Sequence, residues 1–183
     1  LATGAMALRP AIPGAEQLVT LNSLEEFATA EERIQRARRI MVLGAGLIGC
    51  ELAMDMASSE RQVTLVDLAS SPLSSLLPAM LSQPLHQALL AQGVQLKLGQ
   101  GIRDIAALDP QRPEAGCRVT LSDGAQSEQD LVIAAIGLKP NVQLAQAAGL
   151  SVGQGIQVDA GLRSSDPHIY ALGDCAEWQG HLL

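Results

Sequence analysis

Apolar residues in this chain fall into short, dense runs separated by glycine, proline and polar clusters. Ile40-Met-Val-Leu43 is apolar at every position, the pattern of a strand buried on both faces. Residues 47 to about 58 are rich in Ala, Leu, Met and Glu and predict a helix. Gln62-Val-Thr-Leu-Val66, ending on Asp67, predicts the next strand. Strand, helix and strand in succession make a βαβ unit. Ahead of it, residues 18–21 predict a short strand, and Ser23-Leu-Glu-Glu26 a capping box opening a helix to about Arg36. Arg9-Pro-Ala-Ile-Pro-Gly14 reads as a linker.

Beyond the unit, residues 69–77 are Ser- and Pro-rich and predict a loop. Pro78 suits the first turn of a helix to about Gln92, with Gly93 as its C-terminal cap. Pro84 is expected to kink or divide that helix. Residues 94–98 alternate as a strand. From 99 to 136 there is no long helical period. Cys117, Val119 and Leu121 alternate with polar residues, Asp123-Gly124 makes a tight turn, and residues 131–136 are expected to return as the second arm of a hairpin. Pro140 and Asn141 start a short helical stretch toward Ala148, and residues 156–159, 162–165 and 169–172 are strand-like.

Composition narrows the function classes. The 183 residues suffice for a core without disulfides, and a 48% hydrophobic content excludes disorder. A net charge of -7 and a pI near 4.8 argue against nucleic acid, whose phosphates want a basic face. Phe27, Tyr170 and Trp178 are the three aromatic residues, so the core is aliphatic and no platform for stacking bases exists. No apolar run approaches the ~18 residues of a membrane helix, and no basic-then-apolar signal peptide opens the chain. Cys50, Cys117 and Cys175 are scattered, which makes a reducing cytoplasm the simplest setting. The chain starts at Leu1 and stops on Leu182-Leu183, so both ends are expected to be cut from something longer.

The strongest chemical signal is Gly44-Ala45-Gly46-Leu47-Ile48-Gly49, set between an apolar strand and a helix. In a dinucleotide site the first glycine permits a tight turn, the second lets a pyrophosphate approach the backbone, and the third lets helix pack on strand. The helix start offers free amides and a partial positive charge to the phosphates. Asp67, ending the second strand, can accept hydrogen bonds from the adenosine ribose. Glu51 has two readings: complementing the helix dipole, which is favoured, or lying near the cofactor's second ribose. Asp174 is either an ordinary helix cap or a carboxylate holding a ribityl or ribose hydroxyl. Cys50 and Cys175 read as buried small residues. Arg36, Arg38 and Arg39 form a basic cluster that reads first as charge complementing a helix end and second as a phosphate or partner site. His86, His168 and His181 lack metal spacing, no nucleophile elbow is present, and no side chain stands out as a general acid or base.

Together these pieces resemble the FAD-dependent pyridine nucleotide-disulfide oxidoreductases, over essentially the whole chain. Leu1-Ala-Thr3-Gly4-Ala5 resembles the family's A-T-G motif at the flavin, and Gly44 to Glu51 its NADH fingerprint G-x-G-x-I-G-x-E. Ala135-Ile-Gly137 with Lys139-Pro-Asn141 resembles its A-x-G-x-x-P-N, and Tyr170-Ala-Leu-Gly173-Asp174 its second flavin motif. Leu21-Asn-Ser-Leu-Glu, Gly49-Cys-Glu-Leu-Ala-Met-Asp and the stretch from Tyr170 to Glu177 are most similar to the bacterial NADH:flavorubredoxin reductases, which support nitric oxide reduction. The Cys-x-x-Cys of thioredoxin reductases is absent.

The resemblance implies an α/β fold: a Rossmann-like NADH-binding domain over residues 15–138, with a β-meander crossover between its parallel strands. Residues 1–14 and 139–183 are then pieces of an FAD domain, the first flavin glycine motif preceding Leu1 and an interface domain following Leu183. It implies NADH at Gly44, Ala45, Gly46, Leu47, Ile48, Gly49, Glu51, Asp67 and Gly137, and FAD at Thr3, Gly4, Gly173 and Asp174. It also implies hydride transfer from NADH to FAD, then electron transfer to a rubredoxin-like iron centre such as flavorubredoxin. The alternatives are another NADH-dependent flavoprotein reductase (ferredoxin reductase, NADH oxidase or nitrite reductase) or a non-catalytic NAD-sensing module.

Overall fold

The computed structural model describes residues 1–57 and 61–183, so the expected end of the second helix near Ser58 lies outside the described residues. In chain order the elements are β1 (Ala5–Ala7), α1 (Leu24–Arg36), β2 (Arg39–Leu43), α2 (Leu47–Ala57), β3 (Gln62–Asp67), α3 (Ala79–Ala91), β4 (Gln95–Leu98) and β5 (Ile102–Ala107). They continue as β6 (Cys117–Leu121), β7 (Gln126–Gln129), β8 (Leu131–Ala134), β9 (Leu138–Pro140), α4 (Gln143–Ala147), β10 (Ile156–Gln157), β11 (Ala176–Trp178) and β12 (His181–Leu182). The chain divides into two compact units, Leu8–Gly137 and a smaller one made of Leu1–Ala7 with Leu138–Leu183.

The larger unit is an α/β fold around a parallel sheet of order β4-β3-β2-β8. Val19 extends its edge, bridging to Ile133 in parallel, so residues 18–21 contribute a single bridge instead of a full strand. Side chains of successive strand residues point to opposite faces, and both faces are covered. Ile40, Val42, Val63, Leu65, Leu131 and Ile133 pack with Ala53 and Met56 of α2 and Leu89 of α3. Met41, Leu43, Val66, Val132 and Ala134 pack against Ile105, Cys117, Val119 and Leu121 of the antiparallel sheet β5-β6-β7. Helices on one face and a β-meander on the other leave the central strands β2 and β8 no wet side, which is why residues 40–43 and 131–134 are apolar throughout, whereas the edge strand β4 keeps Gln95 and Lys97 exposed.

Three local expectations are corrected. The partner of β6 across the Asp123-Gly124 turn is β7, while residues 131–134 are β8 beside β2. The return arm, Gln126-Ser-Glu-Gln129, is entirely polar and carries no hydrophobic alternation by which its sequence would mark it as a strand. Pro84 does not divide α3, which continues through it. Pro84 and Met80 are exposed, so the Met80 carbonyl that loses its amide donor lies on the solvent side, and the opposite side is pinned by buried Ser82 and Leu89. Residues 8–14 pack with the larger unit: the Ile105 amide donates to the Pro13 carbonyl and the Leu8 amide to that of Gly137.

The smaller unit is built on short pairings. β1 pairs antiparallel with β9, and β10-β11-β12 form a second small sheet. Val142, Ala145, Ile156, Ala171, Cys175 and Ala176 make its core. Of the strand-like runs 162–165 and 169–172, one bridge forms, Arg163 to Tyr170.

Asp130 ties the start of β2 to the start of β8. It accepts from the amides of Arg38 and Arg39 at 2.9 and 2.8 Å and from the Arg39 guanidinium at 3.1 and 2.8 Å. Burial works to raise its pKa, but the Arg39 guanidinium and the two amides outweigh this and hold it below the usual carboxylate range. Asp130→Ala is therefore expected to lower stability by about 1–2 kcal/mol, partial exposure tempering the charged hydrogen bonds. Because the folded pKa is depressed, the contribution is complete above the unfolded value of about 3.9 and disappears as pH falls through the folded one. Urea unfolding at neutral pH and near pH 3 checks both points: the gap between the two proteins should narrow in acid.

Candidate functional site

The glycine loop sits where β2 leaves the sheet. The Gly44 amide donates to the Val66 carbonyl of β3, and the Ala135 amide after β8 donates to Leu43. The turn is thus held from both neighbouring strands. Gly44 has φ 107, and a Cβ there would run into the Ala135 carbonyl oxygen. A Cβ on Gly49 would land on the Gly44 carbonyl oxygen. These two glycines are required by the protein's own backbone: one for the turn, the other so that the first turn of α2 can press against the loop. At Gly46 the situation is opposite. Its φ lies outside the left-handed region, and an added Cβ would meet nothing within 4 Å. The fold leaves open space in front of this residue at the mouth of α2, where the first helical amides lack intrahelical partners.

Ala45 is buried, whereas Leu47 and Ile48 are 58% and 57% exposed. Asp67 ends β3 beside the loop. One carboxylate oxygen accepts from the Ala45 amide at 2.5 Å and the other from the Ala69 amide at 2.7 Å. The sequence signal identified the acid but not this brace, because a side chain bonding a backbone amide 22 positions away leaves no local pattern. Two acceptor positions remain on a carboxylate so engaged. Leu68, Ala69, Ser70 and Ser71 follow without a cation, and Arg61, at the far end of β3, donates to the Gln35 carbonyl. Glu51 is exposed in the first turns of α2. Gly137 closes the larger unit, exposed, its carbonyl holding the Leu8 amide at 2.9 Å.

In the smaller unit, Thr3 and Asn141 are cross-linked. The Thr3 hydroxyl donates to the Asn141 carbonyl at 2.6 Å, the Asn141 amide group to the Thr3 carbonyl at 2.9 Å, and the Asn141 backbone amide to Gly4. The Leu172 amide donates to the Leu1 carbonyl at 3.1 Å, so the two motif segments meet. Gly4 and Gly173 face open space, since a Cβ on either meets nothing within 4 Å. Asp174 is exposed in a single 3-10 turn, Gly173–Cys175.

The cysteines are buried. Burial, aided by the Asp67 charge, pushes the Cys50 thiol up to about 11, and burial pushes Cys117 to about 11 against the pull of Arg33. Burial also opposes ionisation of Cys175, but the Thr3 hydroxyl and the amides of Thr3 and Gly4 outweigh it and lower its pKa. The basic cluster is largely paired: Arg36 with Glu32, and Arg39 with Asp130 and Glu128. Among the described residues no cluster of His, Cys, Asp or Glu could hold a metal ion, and no helix is long and apolar enough to cross a membrane.

Comparison with known proteins matches residues 1–182 to the family described as "Pyridine nucleotide-disulphide oxidoreductase". The nitric oxide reductase FlRd-NAD(+) reductase of Aeromonas salmonicida is 70% identical over all of this chain and 46% of its own length. The chain thus spans about half the length of the curated relatives it matches. The crystal structure of a ferredoxin reductase for the CYP199A2 system from Rhodopseudomonas palustris is 34% identical with a TM-score of 0.90, covering 98% of this chain and 44% of that one. A water-forming NADH oxidase from Lactobacillus brevis, bound to NADH, is 28% identical with a TM-score of 0.86, covering 96% and 38%. With the glycine loop, its acid and the two flanking motif segments in place, and a family match along almost its entire length, the chain belongs to the pyridine nucleotide-disulphide oxidoreductases.

Proposed function

We propose that this chain is the NADH-binding part of a flavoprotein reductase that passes hydride from NADH to FAD and then electrons to a rubredoxin-like iron centre, flavorubredoxin, in nitric oxide detoxification. The observation that carries nucleotide binding is Gly46. Its neighbours in the motif are glycine because the protein's backbone would otherwise collide; Gly46 faces open space and answers to no contact inside the chain. A pyrophosphate seated at the start of α2 supplies the missing reason. The acceptor and the nitric oxide context rest on the name of the 70% identical relative. A cytoplasmic setting belongs to the same reading, supported by the unpaired Cys50, Cys117 and Cys175.

NADH supplies the hydride and FAD the means to split it into single electrons; the protein contributes placement and electrostatics. The loop at Ala45, Gly46, Leu47 and Ile48 lets phosphate oxygens reach backbone amides, with Gly44 and Gly49 holding its shape. Asp67 receives the adenosine ribose on its remaining acceptor positions. Glu51 and Gly137 are assigned to the nicotinamide half. Thr3, Gly4, Gly173 and Asp174 fit a flavin: two of them face open space, and the exposed Asp174 carboxylate stands ready to accept a sugar hydroxyl.

Three glycine variants separate fold from ligand. Gly44→Ala and Gly49→Ala are expected to destabilise by about 1–3 kcal/mol or more, the scale of a backbone forced from its preferred geometry. Gly46→Val should unfold at nearly the parent temperature yet show no NADH binding by calorimetry. A folded Gly46→Val protein that binds NADH as the parent does would refute the assignment.

Asp67 is expected to make the site prefer NADH over NADPH, since the 2′-phosphate of NADPH would meet its carboxylate. Asp67→Ala should weaken NADH about ten- to a hundredfold, the worth of a charged hydrogen bond. Loss of the brace on Ala45 weakens both nucleotides alike, so the ratio is decisive: it should shift toward NADPH. An unchanged ratio would show that Asp67 only braces the loop. For the acceptor, the full-length protein reduced with NADH should transfer electrons faster to flavorubredoxin than to a ferredoxin, read by the iron-centre absorbance in stopped flow.

A further inference from the structure

Beside the paired arginines at the end of α1 stands one that is not. Arg33 lies on the same helix, and its Nε is buried without a hydrogen-bond partner. Among the described residues no carboxylate comes within ion-pair distance of it. It lines a cavity of about 410 Å3 between α1 and the segment 18–20, together with Arg9, Thr20, Glu26 and Thr29. Arg9 is fixed there by uncharged acceptors alone: the Leu18 carbonyl at 2.7 Å, the Ala15 carbonyl at 3.3 Å and the Thr20 hydroxyl at 3.5 Å. Two guanidinium groups thus share one cavity, and neither has a counter-charge in contact.

The acids on the same cavity wall are engaged elsewhere. Glu26 accepts the Asn22 amide, just ahead of the N-cap, at 2.6 Å, and the Glu25 carboxyl is held below its usual range by its own amide and by Ser23. Both serve the N-terminus of α1, two turns from Arg33. A helix face turned toward a sheet is ordinarily apolar; this one carries Glu26, Ala30 and Arg33 over a hollow. A buried donor without a partner is costly, and the half-buried Arg33 guanidinium and the exposed Arg9 offer their remaining N–H groups and two uncompensated positive charges to an anion in the cavity.

We propose that this cavity is a binding site for a small oxyanion, a carboxylate or phosphate group held by Arg33 and Arg9, separate from the glycine loop. Guanidinium donors match both groups in geometry. The site stands on its own residues and does not depend on the nucleotide reading.

The test titrates inorganic phosphate and, in a second arm, acetate into the chain at constant ionic strength, with chloride as the balancing ion. The Arg33 Nε–H resonance is followed by NMR and the unfolding temperature by calorimetry. Saturable shifts of that resonance and a stabilisation beyond that of chloride are expected in at least one arm, and which arm responds names the group. Arg33→Met should weaken the effect at least tenfold, while Arg33→Lys, which keeps the charge, should retain part of it; circular dichroism establishes that both are folded. A resonance that moves no more with phosphate or acetate than with chloride overturns the proposal. So does an Arg33→Met protein that binds as tightly as the parent, and so does one that is merely more stable with no anion response in the parent.

Discussion

Everything in the larger unit follows from β2 having no free side. It is hydrogen-bonded to β3 on one edge and β8 on the other, and its two faces are covered by different layers. A strand so enclosed takes apolar side chains along its buried length, residues 40–43, and its chain can leave the sheet only at its end. Immediately beyond Leu43, neighbouring backbone crowds in from the segment after β8, so the exit has to be made without a side chain at Gly44. The return into α2 then brings the helix start against the carbonyl of Gly44 itself, and Gly49 is the consequence. The shape of the loop is thus the outcome of packing, with one residue, Gly46, facing open space.

Asp67 adds a second layer to this. It is fixed by its position at the end of β3, adjacent to β2, and spends half its acceptor capacity on backbone amides. The loop therefore has its shape before any nucleotide arrives, and the acid that would recognise the ribose is oriented by the loop it supports. In the proposed reading, recognition of the ribose and loop geometry are coupled through a single carboxylate.

Much of this was legible from residue order. The uninterrupted apolar run 40–43, the glycine spacing and the terminal acid are local patterns, and each corresponds to a local physical demand. What escaped was long-range or compensated. β5 lacks a regular alternation, with a register shift between Ile102 and Asp104, and β7 has no apolar residue. Their places depend on the sheet face they cover rather than on their own periodicity. Pro84 differs from the expectation because the cost of proline in a helix depends on which side of the helix loses its bond. Arg33 carries no signal in the sequence, since nothing about an arginine in a charged helix tells whether its partner is present, whereas the denser cluster at 36–39 is mostly paired.

The distance along the chain between β2 and β8 has a consequence for biosynthesis. Asp130 and Arg39 are 91 residues apart, so the buried strand β2 leaves the ribosome long before β8, the strand that closes its second edge. During that interval β2 and β3 present an open edge and an uncovered face, a template for pairing with other chains. Nascent chains that stall before residue 131 would be the aggregation-prone species of this protein, and slow folding is expected of a core closed by contacts so remote in sequence.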